Sequence, residues 1–223
     1  MIKLYNIRHI LLMLTFCVQQ VEIWAQDEEE NISHYVFADF TQGNVKQKGG
    51  NIYSTLLNYN TLTEEMIFVN NGINLALDKI ETIDSVIIDN HIYIPHEKVF
   101  FEQIVSGSIS LFVQHKSELE TKGNQVGYGG TSLISSTTKM STLSNSGLVY
   151  NLKLPTEYTI EDNSHYWIKY NNKYYEIDNE KDLKKIFAEQ EQKIKSFIKS
   201  NKVKFSEESG LRKLVEYLND IVV

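Results

Sequence analysis

Glu65-Met-Ile-Phe-Val-Asn-Asn-Gly-Ile-Asn-Leu-Ala-Leu77 reads as two strands joined by a two-residue turn. Asn71-Gly72 accepts positive φ at both central positions, as a type I′ turn demands. Such a turn fixes the register, so Asn70 faces Ile73. Met66, Phe68, Leu75 and Leu77 then share one face, which is expected to enter the core.

The same grammar recurs along the chain. Val86-Ile-Ile88 and Ile92-Tyr-Ile94 flank Asp89-Asn90. Phe100-Phe-Glu-Gln-Ile-Val105 and Ile109-Ser-Leu-Phe-Val-Gln114 flank Ser106-Gly107, with apolar residues on both faces, so their register stays open. Tyr166-Trp-Ile-Lys-Tyr170 and Lys173-Tyr-Tyr-Glu-Ile177 flank Asn171-Asn172. Short strands at this spacing predict a β-rich body over residues 34–178, mainly antiparallel, built as a sandwich or an open barrel. Within it, residues 127–147 are mostly Gly, Ser and Thr, the composition of a mobile loop. Strands are expected to resume at Leu148-Val-Tyr-Asn-Leu152.

The period changes at Asn179. That residue can cap a helix, with Glu180 and Asp182 in the first turn. Leu183, Ile186, Phe187, Ile194, Phe197 and Ile198 form one stripe, with Gln190 in the missing turn, so a break is expected near Ala188. Ser206 is the expected cap of a last helix whose apolar face is Leu211, Leu214, Val215 and Leu218. Helices with one apolar face must pack on something. The expected fold class is therefore α+β, with two to three C-terminal helices over residues 179–220 packed on the sheet as part of the same domain. A solvent-exposed stripe from Leu183 to Ile198 would instead mark a helix-mediated partner protein.

The first residues carry an address. Lys3 and Arg8 precede the apolar run Ile10-Leu-Leu-Met-Leu-Thr-Phe-Cys-Val18, and Ile23-Trp24-Ala25 leads into Gln26-Asp-Glu-Glu-Glu30. This is the layout of a secretory signal peptide over residues 1–25, followed by an acidic flexible tail over 26–33. The run is about half of the roughly 20 residues a spanning helix needs, so no membrane span is expected after cleavage. Cleavage after Ala25 leaves 198 residues and takes the formal charge from -7 to -8, because Lys3, Arg8 and Glu22 depart. It also removes Cys17, the single cysteine, and with it any disulfide or thiolate site. An acidic chain gains nothing from a phosphate backbone, so nucleic acid is not an expected partner. The expected location is the periplasm or the medium.

Phe40-x-x-Gly43-x-Val45-x-x-Lys48-x-Gly50, Leu57-Asn-Tyr-Asn60, Glu65-Met-x-Phe68, Gly107, Tyr128-Gly129, Phe187, Ile194-x-x-Phe197-Ile198-Lys-x-Asn201 and Leu211-x-x-Leu-x-x-Tyr217-x-Asn219 together form a recognisable pattern. Over about residues 37–220 it resembles a widespread family of secreted, functionally uncharacterised Bacteroidetes proteins. The resemblance implies an envelope or periplasmic address, and it implies no activity.

Chemistry-bearing motifs are incomplete. The mature chain has no HExxH, and His91 and His96, five apart on one strand, point to opposite faces, so no metal site and no cofactor is expected. Gly127-Tyr-Gly-Gly-Thr-Ser132 lacks the lysine of a P-loop and the GxSxG of a nucleophile elbow. No catalytic residue is assigned, and the chain is expected to be non-enzymatic. The alternative is a glycan- or peptide-active enzyme using carboxylates scattered between Glu64 and Glu120. The sharpest feature is the aromatic hairpin. Its turn places Tyr166, Ile168, Tyr170, Tyr175 and Ile177 on one face and Trp167, Lys169, Tyr174 and Glu176 on the other. The second set is either a platform that stacks on a sugar ring or a peptide side chain, the expected partner being an envelope protein or a glycan, or a surface on which Trp167 packs beneath the helices.

Overall fold

A computed structural model describes residues 34–121, 125–126, 130–131 and 158–222. The leader, the acidic tail and most of the Gly/Ser/Thr segment, including Leu148–Leu152, lie outside the described residues. Fourteen short strands are described: β1 Thr41–Gln47, β2 Ile52–Asn60, β3 Glu65–Asn70, β4 Ile73–Ala76, β5 Ile83–Ile88, β6 His91–His96, β7 Val99–Val105, β8 Ile109–Gln114, β9 Ser117–Thr121, β10 Gln125–Val126, β11 Gly130–Thr131, β12 Tyr158–Asp162, β13 His165–Tyr170 and β14 Lys173–Glu176. Three helices close the chain: α1 Glu180–Ile186, α2 Glu191–Asn201 and α3 Glu208–Ile221.

Ten strands form one antiparallel sheet in the order β14-β13-β8-β7-β6-β5-β1-β2-β3-β4. The hairpins have the expected turns. Asn70 faces Ile73 and Phe68 faces Leu75 across Asn71-Gly72, both of whose φ angles are positive. Tyr170 faces Lys173 across Asn171-Asn172, again both positive. The open register of the third hairpin has a physical answer. Gln103 faces Phe112 but Val105 faces Leu111, so a bulge at Ile104 lets both faces be apolar without conflict. Two neighbours in this sheet depart from sequence order: β5, which crosses to the free side of β1, and β13, which pairs with β8.

The β8–β13 and β9–β12 ladders share one register, from Ile109 opposite Tyr170 through Gln114 opposite His165 to Ser117 opposite Asp162 and Thr121 opposite Tyr158. Asn163 N–H donates to the Lys116 carbonyl at the break between them (2.9 Å). They are therefore one long hairpin whose outer half, β9 and β12, leaves the sheet. Residues 122–157 join the ends of that ribbon.

Two apolar cores occupy the sheet face that carries Val45, Leu57, Val86, Tyr93, Phe100, Leu111 and Ile168. Over β1–β7 this face encloses Val45, Leu57, Tyr59, Met66, Ile83, Val86, Ile88, Tyr93 and Phe100. β3 comes close to β7 across it, so the sheet curls there without a hydrogen-bonded closure. The architecture is thus an open sheet rather than a closed barrel. Over β7, β8, β13 and β14 the helices cover the same face, burying Ile109, Leu111, Val113, Ile168 and Ile177 against Leu183, Phe187, Ile194, Leu211, Leu214, Val215 and Leu218. The helical stripe is covered, which overturns its reading as a free docking surface.

Helix boundaries follow local chemistry with one correction. Asn179 caps α1 by accepting from Lys181 N–H (2.9 Å), and the chain breaks at Phe187 into a 3₁₀ turn at Ala188–Gln190. Ser206 does not cap α3: Glu207 takes that position, its carboxylate turned to Lys204 (2.7 Å) rather than to the helix N–H groups. Among the described residues no helix is long and apolar enough to cross a membrane.

Candidate functional site

Strand parity puts Trp167, Lys169, Tyr174 and Glu176 together on the face opposite the helices, with Trp167 facing Glu176 and Lys169 facing Tyr174. Ile168 and Ile177 enter the core in their place. Packing of Trp167 beneath the helices is therefore ruled out.

What the hairpin meets is a second group of aromatics from the β6–β7 hairpin. On a flat sheet β6 and β14 would lie about 19 Å apart. The rings of His96 and Tyr174 are 4.3 Å apart, and Phe101 lies 5.3 Å from Trp167. This half of the sheet therefore curls toward the site face, opposite in sense to the curl over β1–β7. Phe101, buried, forms the floor, and buried Phe112 packs against Tyr174 at 5.4 Å. His96 stacks on Phe101 at 4.5 Å.

The result is a groove of about 1000 Å³ lined by aromatic rings and a polar rim: His96, Phe101, Trp167 and Tyr174 with Gln114 and Lys173, joined at the rim by Glu97, Lys98, Val99 and Tyr175. Trp167 and Tyr174 are half-buried, so part of each ring remains open to the groove. Trp167 Nε1 donates to Gln114 Oε1 (3.2 Å), and Gln114 Nε2 donates to Glu64 Oε1 (2.5 Å). This chain holds the indole in one orientation. Lys169 Nζ stands 5.3 Å from the Tyr174 ring centroid, a cation–π contact that occupies one side of that ring. Burial is the main cause holding the His96 imidazole below its ordinary pKa, so at neutral pH it is an uncharged aromatic surface.

Of the four residues expected from the hairpin, Trp167 and Tyr174 line the groove directly. Lys169 acts on Tyr174, and Glu176 is paired with His165 Nδ1 (2.6 Å). Reading one hairpin at a time misses His96, Phe101, Phe112 and Gln114. Alternation on β6, β7 and β8 puts them on the correct face, but only the curl brings them to the hairpin.

A second polar centre lies on the opposite face, at the junction of the two cores. Glu102 is buried, and its two oxygens are bonded to His91 Nδ1 (2.6 Å) and His115 Nε2 (2.5 Å). Burial alone would raise the Glu102 pKa. Hydrogen bonds from His115 and His91 more than offset that, and the carboxyl stays below its ordinary range. Tyr59 and Tyr93 stack beside it at 5.7 Å, both fully buried, and burial pushes both phenol pKa values far up. They remain neutral at any physiological pH. This centre ties β6 and β7 to the point where the ribbon leaves the sheet. Compared with known proteins, the chain matches no family model, no curated protein and no solved structure.

Proposed function

We propose that this chain is an exported, non-enzymatic binding protein of the periplasm or cell envelope whose groove holds a glycan on Trp167. The observation that carries this reading is the oriented indole in a half-open groove with amide and charged groups at its rim. A sugar presents an apolar ring face and a girdle of hydroxyls. The first stacks on an aromatic ring and the second needs groups such as Gln114, Glu97 and Lys98. The groove's volume of about 1000 Å³ sits at the upper end of ligand pockets, which run from roughly 300 to 1,000 Å³. That favours an oligosaccharide over a single ring. Glu97 is the one carboxylate of the lining among the described residues, whereas glycosidic hydrolysis uses two across a cleft, and this favours binding over turnover. The leader-like layout of residues 1–25 and the resemblance to secreted Bacteroidetes proteins support the address.

The test is retention of the purified protein on a panel of immobilised polysaccharides. Trp167→Ala is expected to lose retention with its melting temperature within a few degrees of wild type. Absence of retention of the wild type on every polysaccharide, or undiminished retention of the variant, would overturn the reading.

A further inference from the structure

His165 and Glu176 are the cross-strand neighbours of the groove residues Gln114 and Trp167; with Asp178 they each offer one ligand atom, and these atoms all lie within 4.8 Å of one another. We propose that they hold a divalent transition-metal ion, zinc being the best match, and that the ion anchors hydroxyl or carboxylate groups of the ligand; only this last clause rests on the glycan reading above.

The strand ladder presets the constellation. Glu176 faces Trp167, and Ile177 N–H donates to the Tyr166 carbonyl (2.9 Å), so the same register runs one step past β14. It puts Asp178 across from His165 with Glu176 on the diagonal, the two positions a cross-strand side chain can reach. His165 Nδ1 and Glu176 Oε1 already approach to 2.6 Å. The backbone thus supplies the preorganisation, and side-chain rotation alone has to close the ligand sphere.

The donors select the ion. One imidazole and two carboxylates make a three-ligand set that leaves coordination positions for water or a ligand, as zinc sites with three protein ligands do. Calcium and magnesium prefer all-oxygen shells, which the imidazole argues against. Charge points the same way by a separate route. Among the described residues the Asp178 carboxylate makes no ion pair with a lysine or arginine, and it shares its 4.8 Å neighbourhood with a second carboxylate. Of the three lysines on α1, Lys184 pairs with Glu191 (2.5 Å) and Lys185 with Asp182 (2.8 Å). A dication at this point offsets the like-charge contact between Glu176 and Asp178.

Place gives the ion a use. Glu176 is the direct cross-strand neighbour of Trp167, so an ion on it stands beside the ring on which the sugar stacks. Stacking fixes one face of the sugar and the ion takes its hydroxyls, which makes recognition of both sides simultaneous.

The test is calorimetric titration of zinc chloride into tag-free protein stripped with chelator. One zinc per chain is expected. His165→Ala and Asp178→Asn should each weaken binding at least tenfold, with unchanged melting temperatures for the metal-free proteins. No zinc uptake at 1 mM, or stoichiometric uptake undiminished in both variants, would overturn the site. Retention on the polysaccharide that binds the wild type is then measured with and without EDTA. Loss with EDTA, restored by zinc, supports the anchor. Retention indifferent to EDTA in a protein that binds zinc overturns the anchoring role and leaves the metal site standing. Zinc uptake by a protein that no polysaccharide retains overturns the glycan reading alone.

Discussion

Asn219 on α3 clamps the start of β8, and its removal gives the sharpest test of how helices and sheet are joined. Its Oδ1 accepts from Ile109 N–H (2.8 Å), while its Nδ2 donates to the Ile109 carbonyl (2.8 Å) and to the Val215 carbonyl (3.0 Å). Ile109 is fully buried, so neither of its backbone groups finds water when the amide goes. A buried backbone group left unpaired costs about 1–3 kcal/mol. Asn219→Ala should therefore cost about 2–4 kcal/mol, which at a urea m-value of roughly 2 kcal/mol/M is a midpoint shift of about 1–2 M. Asn219→Leu keeps the volume without the hydrogen bonds and should lose a similar amount. Urea unfolding followed by Trp167 fluorescence reads both.

Gly107 supplies the control. A Cβ there would sit 2.8 Å from Asn219 Oδ1 and 3.0 Å from its Nδ2. Gly107→Ala should thus destabilise by about 1–3 kcal/mol, as overpacking does, by pushing the clamp off Ile109. In the Asn219→Ala background the obstacle is gone and the same change should cost under about 0.5 kcal/mol, a coupling that only neighbours show. Two results would refute the reasoning. One is Asn219→Leu within about 0.5 kcal/mol of wild type. The other is strict additivity of Gly107→Ala and Asn219→Ala.

Three further outcomes follow from the geometry. A Cβ on Gly43 would lie 2.6 Å from the Ile87 carbonyl oxygen and 2.8 Å from Leu57 Cδ1, so Gly43→Ala should cost about 1–3 kcal/mol in urea unfolding. Asn58, buried between β2 and the N-terminal arm, donates to the Phe37 carbonyl (2.8 Å) and accepts from Phe37 N–H (3.1 Å); Asn58→Ala should release residues 34–40 to limited proteolysis ahead of the sheet. The Glu102 carboxyl titrates below its unfolded value, so its contribution is present above the ordinary carboxylate range and is lost as pH falls through the lower folded value. Glu102→Gln should therefore destabilise at neutral pH, by about 3–5 kcal/mol for a broken buried pair, and flatten the acid limb of stability against pH.

The hairpins were legible because each is decided by two to four neighbouring residues. Asn71-Gly72 and Asn171-Asn172 fix their turns through φ, and turn length then fixes every cross-strand pair. The helical stripe and the break before Ala188 are equally local. Legibility fails where a contact is distant in sequence. Gly107 and Asn219 lie 112 residues apart, and nothing in the sequence says that one exists to leave room for the other. His91, Glu102 and His115 sit on three consecutive stretches, and their convergence depends on the register across β6 and β7 and on where β8 ends. The bulge at Ile104 is invisible in a run that is apolar on both faces.

The site shows why a face can be read and a pocket cannot. Parity alone separates Ile168 from Trp167, and a one-residue slip would exchange them, so burial of Ile168 and Ile177 beneath the helices fixes the direction of the indole. What the indole meets is set by curvature. The bulge at Ile104 lies far from Trp167 in sequence, and a bulge bends its strand and increases the local twist. The core of the first half and the groove of the second are products of the same twisted sheet. A change that flattens it should therefore open the groove while leaving every hairpin, and every residue read from the hairpins, in place.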